Sequence, residues 1–378
     1  MKSIRVCHIV EGTVDVRTVE GLASDYSLTV VGRNTEAGYT ITHPPSETVP
    51  TIIGPGGRFT FARFVFSYLL QNKNQFDAVI VQGYGLSALA ANLAARRTAT
   101  PTYMLVLSPV EAYYLCRKTY PSPGKPYSTR ELLAFRLVAW INARVGQHYL
   151  VMSRHLGDVV RGHGGRKPIS IVPIYGVNTH IFAPSSQSKK LIRASLGLPT
   201  EGELIFFSSR IAPEKDSQTL LTAFRALRER GRDVWLLNRS GGYKTILEEA
   251  ERIGIADRVI ATDAAHPHQA LPLSYQASDL CVQASREEGL GFSPLEALAC
   301  GVPVVAAAVG GLRETIIDGE TGWTYPVGDW ESLADQIEAA LDDTAEAARR
   351  TAAGRALVIA EYDSCVAFNR MMKVLEKP

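Results

Sequence analysis

Residues 279–308 read DLCVQASREEGLGFSPLEALACGVPVVAAA. An apolar run leads into a loop of charge and glycine, then a short apolar helix, SPLEALACG, then a second apolar run, PVVAAA. Strand, loop, helix and strand in that order are the parts of a βαβ unit and of a mostly parallel sheet. The loop carries more than a turn needs. Glu288 and Glu296 flank Gly289 and Gly291, which let the backbone come close to a ligand. The sequence offers two readings of Glu296. Ser293 has the spacing of an N-cap, Pro294 of a first helical residue and Glu296 of the third, so Glu296 closes a capping box. Alternatively, Gly289-Leu290-Gly291-Phe292 opens a helix whose free N–H groups favour anions, and the carboxylates accept hydrogen bonds from sugar or ribose hydroxyls. Glu288 alone would be a solvated loop charge. With the glycines it suits a sugar nucleotide.

Upstream, ELIFFSSR is a strand, and its loop, SSRIAPEKD, sets Arg210 and Lys215 at a strand's carboxyl end, where two cations neutralise a diphosphate; as isolated surface charges they would do little. SQTLLTAFRALRERG is a helix closed by glycine, and DVWLLN, DRVIAT and TGWTYP are further strands. The first half repeats the plan: IRVCHIV, SLTVVG, DAVIVQG with the helix LSALAANLAARR, PTYMLVLS, the long helix RELLAFRLVAWINARVG, then YLVMS and SIVPIYGVN. The text turns polar at NTHIFAPSSQSKK, which marks the junction. The expectation is therefore an α/β chain of two doubly wound domains facing across a cleft. Residues 1–184 form the first domain, 185–355 the second, and 356–378 a C-terminal helix. In that helix Val366, Phe368 and Met372 are the expected packing residues.

With these residues in view, the chain resembles retaining glycosyltransferase family 4, which has the two-domain GT-B fold. The family's two glutamates with seven residues between them are Glu288 and Glu296, followed by ALACGVPVVA and GGLRETIIDGETGW; VPIYGVNTHIFAP is similar to its linker entry. The resemblance implies that residues 1–184 are the acceptor side, that 185–355 bind the nucleotide-sugar donor and that 356–378 pack back on the first domain. It also implies that Arg210 and Lys215 hold the donor diphosphate, Glu296 binds the ribose, and Glu288 contacts the transferred sugar. Backbone groups of Leu290, Gly291 and Phe292 face the sugar and phosphates. Family members often carry a glycine pair after the first strand; Glu11-Gly12-Thr13 supplies only Gly12. Where the family often has a histidine on the donor sugar, this chain has Ser108, with Glu111 nearby; serine donates a hydrogen bond but no positive charge. Asp216 stands where a glycine is common, and LLNRSGG replaces a more glycine-rich turn. The implied reaction moves a hexosyl group from a UDP- or GDP-sugar to an acceptor hydroxyl, without metal or other cofactor, with retention as an alpha bond. The implied acceptor is a carbohydrate, a polyol or a glycolipid intermediate. The alternative is a non-catalytic sugar-nucleotide sensor on the same fold; for a sugar-nucleotide epimerase the second half lacks an acid and base set.

Composition narrows the rest. The chain has 378 residues, 46% hydrophobic and 21% charged, the profile of a folded soluble protein of two domains. A net charge of +2 does not suggest a nucleic-acid protein. Five scattered cysteines read as reduced thiols of a cytoplasmic protein, and the first strand is too short for a signal peptide. Peripheral contact at the inner face of a membrane stays open: His155 and His163 lie among Arg154, Arg161 and Arg166, a patch for an anionic surface or merely for solvent. His266-Pro267-His268 lacks a third ligand and reads as a polar loop rather than a metal site. Gly310-Gly311 reads as a second anion-binding helix start or as a tight turn. Tyr113, Tyr114 and Tyr120 read as an aromatic rim for sugars or as ordinary loop residues, with Gly83 and Tyr84 near the expected acceptor.

Overall fold

Short runs rich in valine and isoleucine, each followed by a helix, become two parallel sheets. The structure, a computed structural model, describes residues 4–12, 15–35, 38–39, 49–120, 128–240, 242–262 and 271–376. By its contacts the chain divides into two units: residues 1–111, 127–175 and 367–378, and residues 112–126 and 176–366.

The first unit holds β1 (Arg5–Val10), β2 (Ser27–Thr35), β3 (Gly38–Tyr39), β4 (Thr51–Gly54), β5 (Ala78–Gln82), β6 (Thr102–Val106), β7 (His148–Val151) and β8 (Ile169–Ile171). Their order is β3-β2-β1-β5-β6-β7-β8, with β4 also on β2. Every pairing is parallel except β2 with β3. Val6 lies opposite both Leu28 and Ala78, so β1 is central and is buried from Val6 to Val10. That explains its unbroken apolar run: a parallel strand is covered on both faces. The last helix, Ser364–Leu375, buries Ala367, Met371 and Leu375. The expected packing residues Val366, Phe368 and Met372 are only half-buried, because the inward stripe is set one residue along. Phe368 nonetheless seats its ring on Gly21, where a Cβ would fall 1.7 Å from it, and the Tyr103 hydroxyl donates to the Val374 carbonyl at 3.4 Å.

His8 in β1 is fully buried, and among the described residues neither ring nitrogen has a hydrogen-bond partner. Burial lowers its pKa to about 4. The unfolded chain takes up that proton near pH ~6.5, so the fold keeps its full stability above that value and loses it as the pH falls towards 4. The loss reaches about 2 kcal/mol at pH ~5. Urea melts of the wild type and His8→Leu at both ends of that interval check this: the drop should be smaller in the variant by that amount. An equal drop in both proteins would place the acid sensitivity elsewhere.

The second unit holds β9 (Glu203–Phe207), β10 (Val234–Arg239), β11 (Val259–Thr262), β12 (Leu280–Gln283), β13 (Val304–Ala307) and β14 (Trp323–Tyr325), ordered β11-β10-β9-β12-β13-β14. All pairs are parallel. The strand order reverses between β9 and β12, which is the doubly wound pattern; loops leaving the carboxyl ends of those two strands border a crevice. One face of the sheet packs Ile205, Phe207, Leu236 and Val282 against the helices Ser217–Glu229 and Trp330–Asp342. On the other face Phe206 meets Tyr275 edge-on at 5.0 Å.

Candidate functional site

The loop after β9 is shaped by Asp216. It adopts φ 50°, ψ 55° and caps the helix Ser217–Glu229. Left-handed backbone disfavours a side chain, but aspartate tolerates it best when its carboxylate has local donors. Here the Thr219 hydroxyl donates at 2.7 Å, the Thr219 amide at 3.3 Å and Arg286 at 2.6 Å. This is the physical reason that an aspartate can stand where left-handed backbone favours glycine. Before it, Pro213–Lys215 form one 3-10 turn, which sends successive side chains different ways. Glu214 points inward with no side-chain exposure and holds two arginines: Arg117 donates at 2.6 and 3.0 Å, Arg210 at 2.8 Å. Burial pushes the Glu214 carboxyl up, but the hydrogen bonds and charges of the arginines outweigh it and keep it below the usual range. Arg210 remains 56% exposed, and among the described residues its recorded hydrogen bond to Glu214 uses one of its five N–H groups.

Lys215 turns towards β12 and forms an ion pair with Glu288. Both side chains are mostly buried, 13% and 11% exposed. Glu288 Oε2 also accepts from Ser285 Oγ at 3.1 Å and Gln283 Nε2 at 3.2 Å. Gln283 Oε1 in turn accepts from Ser209 Oγ at 3.0 Å. Three donors therefore converge on one carboxylate oxygen, and among the described residues the other, Oε1, has no hydrogen-bond partner. The ammonium of Lys215 spends one of three hydrogens on Glu288.

The helix after the glycine loop starts at Phe292, and Gly291 is its N-cap at φ 91°, with no side-chain cap bond. The capping box at Ser293 and Glu296 is therefore overturned. A left-handed glycine turns the chain into the helix two residues earlier, and the Ser293 hydroxyl goes to the Ser208 carbonyl at 3.2 Å. Glu296 is 4% exposed and accepts from the Tyr275 hydroxyl at 2.9 Å. Burial and the Glu296 charge raise Tyr275 well above its ordinary value, so the phenol stays a donor. Leu290 is fully buried, Gly291 buried and Phe292 half-buried. Gly310-Gly311 forms a short 3-10 turn that packs backbone to backbone on this loop: the Gly311 amide donates to the Glu288 carbonyl at 3.0 Å.

Lys215 and Glu288 thus touch, with Gly291 alongside, where a Cβ would lie 3.5 Å from Glu288 Cγ. Arg210 stands beside them through Glu214. Glu296 belongs to a neighbouring contact, with Tyr275. Ser108 and Gly12 belong to the first unit. Ser108 lies two residues past β6, where its carbonyl accepts from Val110 N at 2.9 Å. Gly12 follows β1, and a Cβ there would meet nothing within 4 Å. The expected aromatic rim changes character. Tyr113 is half-buried, and burial and the charges of Glu288 and Glu214 raise its pKa well above the usual value. Tyr120 underlies the Arg286 guanidinium at 3.8 Å, and Tyr84 is buried. His163 is no surface cation: burial lowers its pKa, and it stacks near Tyr84 and Phe135. Thr13, Gly241 and His266-Pro267-His268 lie outside the described residues.

Sequence reasoning missed Glu214, Gln283, Ser285 and Tyr275; Glu214 meets Arg117 97 residues away, Gln283 meets Ser209 74 away and Tyr275 meets Glu296 21 away, while Ser285 sits three residues from Glu288 with no pattern to mark it. It also missed Arg239 at the carboxyl end of β10. That arginine donates to Ser274 Oγ at 3.1 Å, its Nε is buried without a partner, and burial lowers its pKa. A cavity of about 790 Å³ lined by Arg193, Asp279 and Lys189 lies at the opposite, amino-terminal edge of the strands. The carboxyl edge is where doubly wound sheets take ligands.

Residues 188–357 match the family described as glycosyl transferases group 1. The chain is 35% identical over 211 residues to a D-inositol 3-phosphate glycosyltransferase of Xylanimonas cellulosilytica, covering 53% of this chain and 49% of that protein. It is 34% identical over 189 residues to a GDP-mannose-dependent alpha-(1-6)-phosphatidylinositol monomannoside mannosyltransferase of Mycolicibacterium smegmatis, covering 48% and 49%. The chain spans about half the length of these curated relatives. Among solved structures, sucrose-phosphate synthase of Thermosynechococcus elongatus superposes with a TM-score of 0.80 at 21% identity, covering 99% of this chain and 98% of that one. Anabaena HepE in complex with UDP and glucose gives 0.79 at 18% identity, covering 99% and 100%. At such identities the likeness carries the fold, which is the GT-B fold.

Proposed function

Because residues 188–357 match the glycosyl transferases group 1 family, we propose that the protein is a retaining glycosyltransferase. It moves a hexosyl group from a nucleoside diphosphate sugar to an acceptor hydroxyl as an alpha-glycoside. The observation that carries this reading is the Lys215–Glu288 ion pair at the strand-order reversal between β9 and β12. One lysine there can hold a phosphate oxygen while fixing the carboxylate that receives a sugar hydroxyl on its open Oε1. Arg210 supplies a second, exposed cation for the diphosphate, and Glu296 with Tyr275 receives the ribose.

In the reaction the bond from C1 to the phosphate oxygen breaks, and a bond from C1 to the acceptor oxygen forms on the same face. The acceptor proton passes to the departing phosphate. Charge grows on the diphosphate as it leaves, so cations and amides aimed there act most strongly in the transition state. Glu288 is assigned to sugar binding: Lys215, Ser285 and Gln283 hold Oε2, and Oε1 is left to accept a sugar hydroxyl. The Mycolicibacterium relative is named for GDP-mannose, and both relatives are named for inositol-containing acceptors, which supports acceptors of that class.

Calorimetric titration with UDP and with GDP, free of metal, tests the donor side. One nucleotide should bind, and Lys215→Ala should weaken it by about tenfold or more, the scale of a lost charged hydrogen bond. Binding of neither nucleotide, nor of ADP, would remove the transferase reading.

A further inference from the structure

The helix Thr129–Val145 of the first unit carries large apolar residues on the side that faces away from the protein. Its inner side is anchored: Ala139, Asn142 and Ala143 are buried, and Asn142 Nδ2 donates to the Tyr84 and Gly85 carbonyls at 2.7 and 2.9 Å. On the outside, Leu133 and Leu137 are each 58% exposed and Trp140 48%. Spacings of four and three residues put them in one stripe. The helix Ser217–Glu229 shows what an ordinary outer face looks like in the same molecule: its exposed residues are Gln218, Thr222, Arg225 and Glu229. Arg130, Glu131 and Arg144 are exposed beside the stripe, and Arg136, exposed within it, pairs with Glu111. Large apolar side chains left exposed between charges call for a partner.

The charges around the stripe say which. Residues 128–168 contain seven Lys and Arg against two Asp and Glu, a local +5 against +2 for the whole chain. Arg130 and Arg144 are exposed, and among the described residues neither meets a carboxylate. Arg144 lies over the Trp140 indole at 3.4 Å, an aromatic-cation pair of the kind that suits a headgroup layer. We propose that this helix docks on an anionic lipid bilayer. Leu133 and Leu137 enter the acyl boundary, Trp140 sits at headgroup level, and Arg130 and Arg144 meet the lipid phosphates. A second copy is the weaker partner, because a twofold contact would set this basic face against itself. The docking does not depend on which sugar nucleotide the second unit binds.

Vesicle flotation tests it with the full chain. Vesicles of equal phosphatidylglycerol and phosphatidylcholine should carry the protein up, phosphatidylcholine alone should not, and added salt should release it. The exposed pair Leu133→Ser with Leu137→Ser should abolish flotation at unchanged melting temperature. Arg130→Gln with Arg144→Gln should weaken binding by about 25-fold, about fivefold per arginine. Tryptophan emission should shift to the blue on vesicle addition, and the shift should vanish in Trp140→Phe. Flotation that survives the leucine substitutions, equal behaviour on both vesicle types, or a dimer in lipid-free solution that the same substitutions dissolve would each overturn the proposal.

Discussion

Replacing Lys215 by alanine should lower turnover at saturating donor by about 10²-fold or more, the scale of losing one charge-stabilising donor in a water-poor site. Two separate losses combine in it. The departing diphosphate loses a cation, and Glu288 loses the group that orients its carboxylate. Ser285 and Gln283 remain on Oε2, so the carboxylate is not left wholly unpaired and the unit should still fold. A cycle with Glu288→Gln separates the two losses. If Lys215 acts partly through Glu288, the double variant loses less than the two single losses added. If it acts on phosphate alone, the losses add. Steady-state turnover of the three variants with a labelled donor reads this directly. Wild-type turnover in Lys215→Ala would end the role assigned to it.

The pair itself was half legible in the sequence. Arg210 and Lys215 follow one strand-like run and Glu288 follows another, and a doubly wound order brings those loop ends to one edge. That much needs only periodicity and punctuation. What the sequence hid is pairing across long separations. Glu214 looks like one more charge between Arg210 and Lys215, yet it is buried by Arg117, which is 97 residues away. Ser-Pro-Leu-Glu has every local mark of a capping box, and the local pattern lost to two facts outside it: a left-handed Gly291 and a Ser208 carbonyl needing a donor. Tyr120 reads as a sugar platform until Arg286, far along the chain, is seen above it. Local preference sets an element's type well; its ends and its partners are set by tertiary contacts.

Gly311→Ala should disable the same site without touching any of its side chains. An alanine Cβ at 311 would fall 2.1 Å from the Gly289 carbonyl oxygen and 2.8 Å from Leu290 Cα. These are backbone atoms, so no rotamer change relieves the clash and one loop must move off the other. Overpacking of this kind costs about 1–3 kcal/mol. Separation also breaks the bond from the Gly311 amide to the Glu288 carbonyl, so the Glu288 backbone moves while Lys215, Ser285 and Gln283 still hold its carboxylate. A displacement near ~1 Å at a positioned group costs about 10²-fold in rate. Gly254→Ala is the control. It carries the penalty of a left-handed φ, 75°, which Gly311 does not have, but its Cβ meets nothing within 4 Å, so it should cost about 1 kcal/mol and leave turnover alone. Melting curves and turnover of both variants decide. A folded Gly311→Ala with wild-type turnover would mean that the glycine loop does not set the geometry of Glu288, and Lys215 alone would have to.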